Sequence, residues 1–103
     1  MFIFDVFPLA TKWVVVEGLR EDEFAPVKNE PGNVADSPDT ARAMLTAQAI
    51  RWLQAAGAEI ITTTGATAED TLLQCEISPL LSYAGEGLSQ YANEQIVLPV
   101  YLK

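Results

Sequence analysis

A single lysine closes a short acidic run in this chain, Leu-Arg-Glu-Asp-Glu-Phe-Ala-Pro-Val-Lys-Asn, with Leu19 at one end and Asn29 at the other. An ammonium group at Lys28, on a loop stiffened by Pro26, could meet a phosphate if the loop left the carboxyl end of a buried strand, where ligands gather in α/β sheets. Composition and spacing alone favour an ordinary solvated lysine. Three consecutive acids, Glu21, Asp22 and Glu23, could hold a divalent cation, although such runs more often form a solvated loop. Cys75 sits inside an apolar strand pattern, which suits a core thiol better than a nucleophile. Gly85-Glu86-Gly87 lacks the G-x-x-x-x-G-K spacing of a phosphate loop and reads as a turn that needs positive φ. With no histidine and one cysteine, zinc sites and His-dependent triads are excluded within the chain. No catalytic residue and no metal ligand is assigned.

The elements that must position Lys28 follow from pattern. Residues 12–19, with Val14, Val15 and Val16 in a row, predict a strand buried on both faces. Trp13 and Trp52 read as core. The first ten residues are ambiguous: Phe2, Ile3, Val6 and Phe7 have helical spacing, but Pro8 disfavours a continuing helix. Their abrupt apolar start suggests a longer chain cut at this point. A polar connector, 29–37, leads to the clearest element, a helix over 38–56. Ser37 is its N-cap, Pro38 its first residue, Asp39 complements its dipole and Gly57 suits C′. Its apolar stripe is Ala41, Met44, Leu45, Ala49, Trp52, Leu53 and Ala56. A thinner stripe of Ala43, Ala47 and Ile50 is either helix-favouring alanine facing solvent or a second buried face. Strands are expected at 58–64 and 72–77, joined by residues 65–70, and at 96–102, where Pro99 argues for an edge or a bulge. Gly85 and Gly87 make a turn into a short helical segment around Leu88 and Tyr91.

The totals bound the rest. A chain of 103 residues that is half apolar can bury one modest core. Fourteen acids against six bases, a net charge of −8, repel nucleic acid and anionic membranes, and neither is expected as a partner. No apolar run is long enough for a membrane span, and the amino-terminal segment lacks the features of a signal peptide. The lone thiol makes the cytoplasm the simplest compartment.

Four blocks in order, F-I-F-D-V-F-P-L-A, V-V-V-E-G-L-R-E-D-E-F-A-P-V-K-N, D-S-P-D-T-A-R-A-M-L-T-A-Q-A-I-R-W-L-Q-A-A-G-A and Q-C-E-I-S-P-L-L-S-Y-A-G-E-G-L, closely resemble the carboxyl-terminal region of UDP-N-acetylglucosamine (UDP-N-acetylhexosamine) pyrophosphorylases. The resemblance runs from residue 2 to about residue 91. It implies a mixed α/β fold: residues 1–35 as the end of a Rossmann-like nucleotidyltransferase domain, and residues 36–103 as a small α+β carboxyl-terminal region. It implies transfer of a uridylyl group from UTP to N-acetylglucosamine 1-phosphate, with Mg²⁺ needed by the parent enzyme and none bound by this chain alone. It implies that Lys28 contacts the sugar-nucleotide substrate. The implied partners are UTP, the UDP-sugar or sugar 1-phosphate, and the rest of the catalytic domain; self-association is a further expectation. The family's glycine-rich L-x-G-G-x-G-T-R motif is absent, and its UTP-contacting lysine would fall before Met1. The stretch 61–72 is shorter than in animal enzymes. The reading is therefore an inactive carboxyl-terminal fragment of such an enzyme. The alternative is a freestanding, non-catalytic binding module of shared ancestry.

Overall fold

Ser37 starts the longest element of the computed structural model, which describes residues 2–62 and 74–103. Its hydroxyl accepts the Thr40 N–H at 3.2 Å, and the Thr40 hydroxyl oxygen accepts the Ser37 N–H at 2.9 Å. Two otherwise orphaned donors are thus satisfied reciprocally, with threonine in the place usually taken by glutamate. A single helical turn, α1 (Arg20–Glu23), precedes this helix, α2 (Pro38–Ala55). Gly57, at φ +96°, ends α2 as its position predicts.

Among the described residues four three-residue strands follow: β1 (Glu59–Ile61), β2 (Cys75–Ile77), β3 (Gln95–Val97) and β4 (Val100–Leu102). They pair in parallel, β1 with β3 and β2 with β4. Ile60 faces Ile96 in register, and Cys75 faces Val100. The fold is therefore mixed α/β. The expected single strand at 96–102 is two. Pro99 has no N–H to give a ladder, and the chain changes partner on either side of it: Leu98 donates to the Ile61 carbonyl and Val100 to the Gln74 carbonyl, each at 3.0 Å. The connector 65–70, and the outer ends of the strands expected at 58–64 and 72–77, lie outside the described residues.

The core lies between α2 and the strands. Ala49 and Leu53 bring the helix face, Cys75 and Ile96 the strands, Leu98 the link between β3 and β4, and Leu88 the loop before a 3-10 turn (Ser89–Tyr91). The helix stripe is as expected except for Leu45, which is 62% exposed. Ala43 and Ala47 face solvent, while Ile50 packs against the core.

The expectations for the first nineteen residues are corrected. No strand forms over 12–19, and Trp13, Val14, Val15 and Val16 are exposed instead of buried. Valine's preference for strands is a preference for a half-buried pleated surface with a neighbour. No strand among the described residues pairs with this segment. The ambiguous start is a 3-10 helix (Ile3–Leu9) with Pro8 inside it. Among the described residues, no helix is long and apolar enough to cross a membrane.

Candidate functional site: the Lys28 loop

The acidic run folds on itself before it reaches Lys28. Within α1, the Asp22 and Glu23 N–H groups both donate to the Leu19 carbonyl at 3.1 Å, and the Phe24 N–H donates to the Arg20 carbonyl at 3.0 Å. The Arg20 guanidinium lies 4.6 Å above the centre of the Phe24 ring. The Lys28 ammonium sits at 6.0 Å from the same ring, the outer limit of a cation–π contact.

Beyond Pro26 the backbone is tied down again. The Lys28 and Asn29 N–H groups both donate to the Asp36 carbonyl, at 2.7 and 2.9 Å, and the Asn29 side-chain amide donates to the Ala35 carbonyl at 2.8 Å. Asp36 adopts a left-handed conformation, φ +49°, immediately before the Ser37 cap. Lys28 is exposed, and among the described residues its ammonium has no ion-pair partner. The arrangement is a solvent-facing cation on a braced backbone, able to donate up to three hydrogen bonds to an anion such as a phosphate.

The brace differs from the expected one. With no strand over 12–19, no strand end presents the loop; helix α2 does. Arg51 donates to the Asp22 carboxylate at 2.6 Å and to the Glu21 carbonyl at 3.3 Å, and Gln48 donates to the Asp22 carbonyl at 2.7 Å. These two residues are missed by sequence reasoning. The available signal was slight: both lie off the main apolar stripe of the helix, three positions apart, and Arg51 is one of only six bases in an acidic chain.

The other candidates resolve individually. Asp22 faces Arg51, and among the described residues no three His, Cys, Asp or Glu side chains converge as a metal site. Cys75 is buried, and its thiol is pushed up to about 11, first by burial and then by the neighbouring Glu76 charge, which makes it a poor nucleophile. Gly85 and Gly87 take positive φ, +92° and +71°. Between them Glu86 accepts the N–H groups of Tyr83 at 2.9 Å and Ala84 at 2.6 Å, with the Ser82 hydroxyl at 3.4 Å. Donation from these backbone N–H groups holds its carboxyl down at about 2. The segment is a self-capped turn rather than a ligand loop. Trp52 stacks close over Gly85, where an added Cβ would lie 2.9 Å from the indole.

A mixed α/β unit with parallel strand pairs and an exposed, braced lysine is the class that fold and site define. No family model matches the chain. Curated proteins do. The Xenopus tropicalis UDP-N-acetylhexosamine pyrophosphorylase-like protein 1 is 42% identical over 93% of this chain and 20% of its own length. The Saccharomyces cerevisiae UDP-N-acetylglucosamine pyrophosphorylase is 43% identical over 90% of this chain and 18% of its own. An Entamoeba histolytica crystal structure, assigned as a UDP-N-acetylglucosamine pyrophosphorylase, superposes with a TM-score of 0.81 at 34% identity, over all of this chain and 24% of that one. Over most of its length the chain is thus related to UDP-N-acetylglucosamine and UDP-N-acetylhexosamine pyrophosphorylases. It spans about one-fifth of the length of the curated relatives it matches.

Proposed function

We propose that this chain is the carboxyl-terminal part of a uridylyltransferase that makes UDP-N-acetylglucosamine and pyrophosphate from UTP and N-acetylglucosamine 1-phosphate, and that Lys28 is its substrate contact. The observation that supports this reading is the combination of an exposed ammonium on a twice-anchored loop with relatedness to pyrophosphorylases over most of the chain. A sugar-phosphate oxygen attacks the α-phosphorus of UTP, and pyrophosphate leaves. Two anionic reactants must approach, so the catalytic need is for positioning and for fixed positive charge. An ammonium whose loop is already braced supplies charge without reorganisation at the moment of reaction.

Among the described residues no three His, Cys, Asp or Glu side chains converge, and the Mg²⁺ of the parent enzyme would be held by residues elsewhere in it. Residues 1–35 would close the nucleotidyltransferase domain and residues 36–103 would form the carboxyl-terminal region. The exposed apolar face of the first sixteen residues would lie against the remainder of that domain. A reducing cytoplasm suits the unpaired thiol of Cys75.

The test is Lys28→Ala in a complete uridylyltransferase carrying this segment. Loss of a charge-assisted contact costs about 1.5–3 kcal/mol, so kcat/KM falls at least about tenfold while the fold is retained. A value near wild type for both substrates overturns the assignment. The second reading, a freestanding non-catalytic module, is favoured by one observation: α2 and the paired strands enclose a core without the first nineteen residues. Under either reading the chain alone turns over no UTP. Activity on the order of 1 per second would refute both.

A further inference from the structure

We propose that Arg51, assisted by Gln48, is a positioning residue that latches the Lys28 loop to helix α2. This rests on the reading of Lys28 as a phosphate contact. A four-residue helix is too short to hold itself together in water. Its terminal carbonyls also have no partners within the helix. In α1, two of those carbonyls, Glu21 and Asp22, are met by Arg51 and Gln48, at 3.3 and 2.7 Å. The same Arg51 nitrogen that reaches the Glu21 carbonyl also meets the Asp22 carboxylate at 2.6 Å. An isolated surface ion pair contributes little. Here the pair is one of three donations converging on a single turn, from side chains that share a helix face at i and i+3.

The other end of the loop is held by the Asp36 carbonyl, which accepts the Lys28 and Asn29 N–H groups next to the Ser37 cap. Helix α2 therefore fastens the loop at two places: at its start, through residues 36–37, and about three turns further on, through Gln48 and Arg51. Between the anchors lie only Glu23 to Val27, with Pro26 removing further freedom. Release of the Arg51 latch leaves that end of the loop to the Gln48 donation alone, and the backbone that carries Lys28 would be less firmly placed.

Amide hydrogen exchange on this chain tests the latch without reference to activity. In Arg51→Met, exchange at Asp22, Glu23 and Phe24 should rise about tenfold, while amides in α2 and the strands keep their protection. Arg51→Lys should restore part of the protection, and the charge reversal Asp22→Arg with Arg51→Asp should restore more than either change alone. No protection at these amides in the wild type, no rise in Arg51→Met, or an equal rise across the whole core would each overturn the proposal. A complete uridylyltransferase carrying this segment supplies the functional readout. There Arg51→Met should lower kcat/KM when Lys28 is present and add no loss in the Lys28→Ala background. Equal losses in both backgrounds would refute action through Lys28. If Lys28→Ala alone is silent, the substrate reading fails, and the exchange experiment still judges the latch.

Discussion

Glu86 illustrates what one side chain can organise. Its carboxylate gathers the N–H groups of Tyr83 and Ala84 into a turn bounded by two positive-φ glycines, and its pKa falls from 4.5 to about 2 in consequence. A carboxyl depressed in the folded state stabilises it above the unfolded pKa. That contribution declines as pH falls below about 4.5 and is gone once pH passes below about 2. The Tyr83 and Ala84 amide resonances should therefore titrate together with an apparent pKa near 2, and Glu86→Gln should abolish that titration. At Lys28, replacement by arginine should rescue activity only in part, because a planar guanidinium directs its donors differently from a compact ammonium. Lys12, which lies outside the braced loop, is the control: its neutralisation should leave kcat/KM unchanged.

Helix α2 combines several roles along its length: a cap at Ser37, a core face at Ala49 and Leu53, and the latch at Gln48 and Arg51. Ser37 is fully buried; its hydroxyl also donates to the Asn33 carbonyl at 2.9 Å, close to the Asp36 carbonyl that anchors Lys28. Ser37→Ala should cost about 1 kcal/mol of stability, read from denaturant midpoints, and should loosen the Lys28 amide in the same exchange experiment. Leu53 has no exposure and packs among the strands, so Leu53→Ala should cost about 2–5 kcal/mol. The larger effect belongs to the residue that fills the core, and the smaller one to the residue that starts the helix.

At the scale of the whole molecule, the radius of gyration is 17.5 Å, whereas a compact chain of this length has a value of about 13 Å. The excess is matched by the exposure of Phe2, Ile3, Phe4, Trp13 and the three valines after it. A run of that kind favours association. Light scattering over a dilution series should show mass rising with concentration, and deleting residues 2–16 should abolish the rise. A strictly monomeric, cooperatively unfolding species at high concentration would favour the self-standing module.

Local chemistry was enough to define α2, because Ser37, Pro38, Asp39 and Gly57 act within one or two turns of themselves. The same holds for the Gly85–Gly87 turn and for Cys75 as a core thiol, where positive φ and apolar neighbours are properties of adjacent residues. The mixed α/β class was implied by the resemblance of the four blocks, beside a helix and strands read from the apolar pattern. The tertiary structure decided what depends on partners distant in sequence. A strand over 12–19 needed a neighbouring ladder, and the described residues provide none. Pro99 could be read as an interruption, but only the pairing of β3 with β1 and of β4 with β2 makes it the point where the chain changes partner. Lys28 could be singled out by its acidic, proline-stiffened loop. That the loop is braced by Arg51, 23 positions further on, could not be read, because a side-chain hydrogen bond between distant segments exists only once the helix has brought them together.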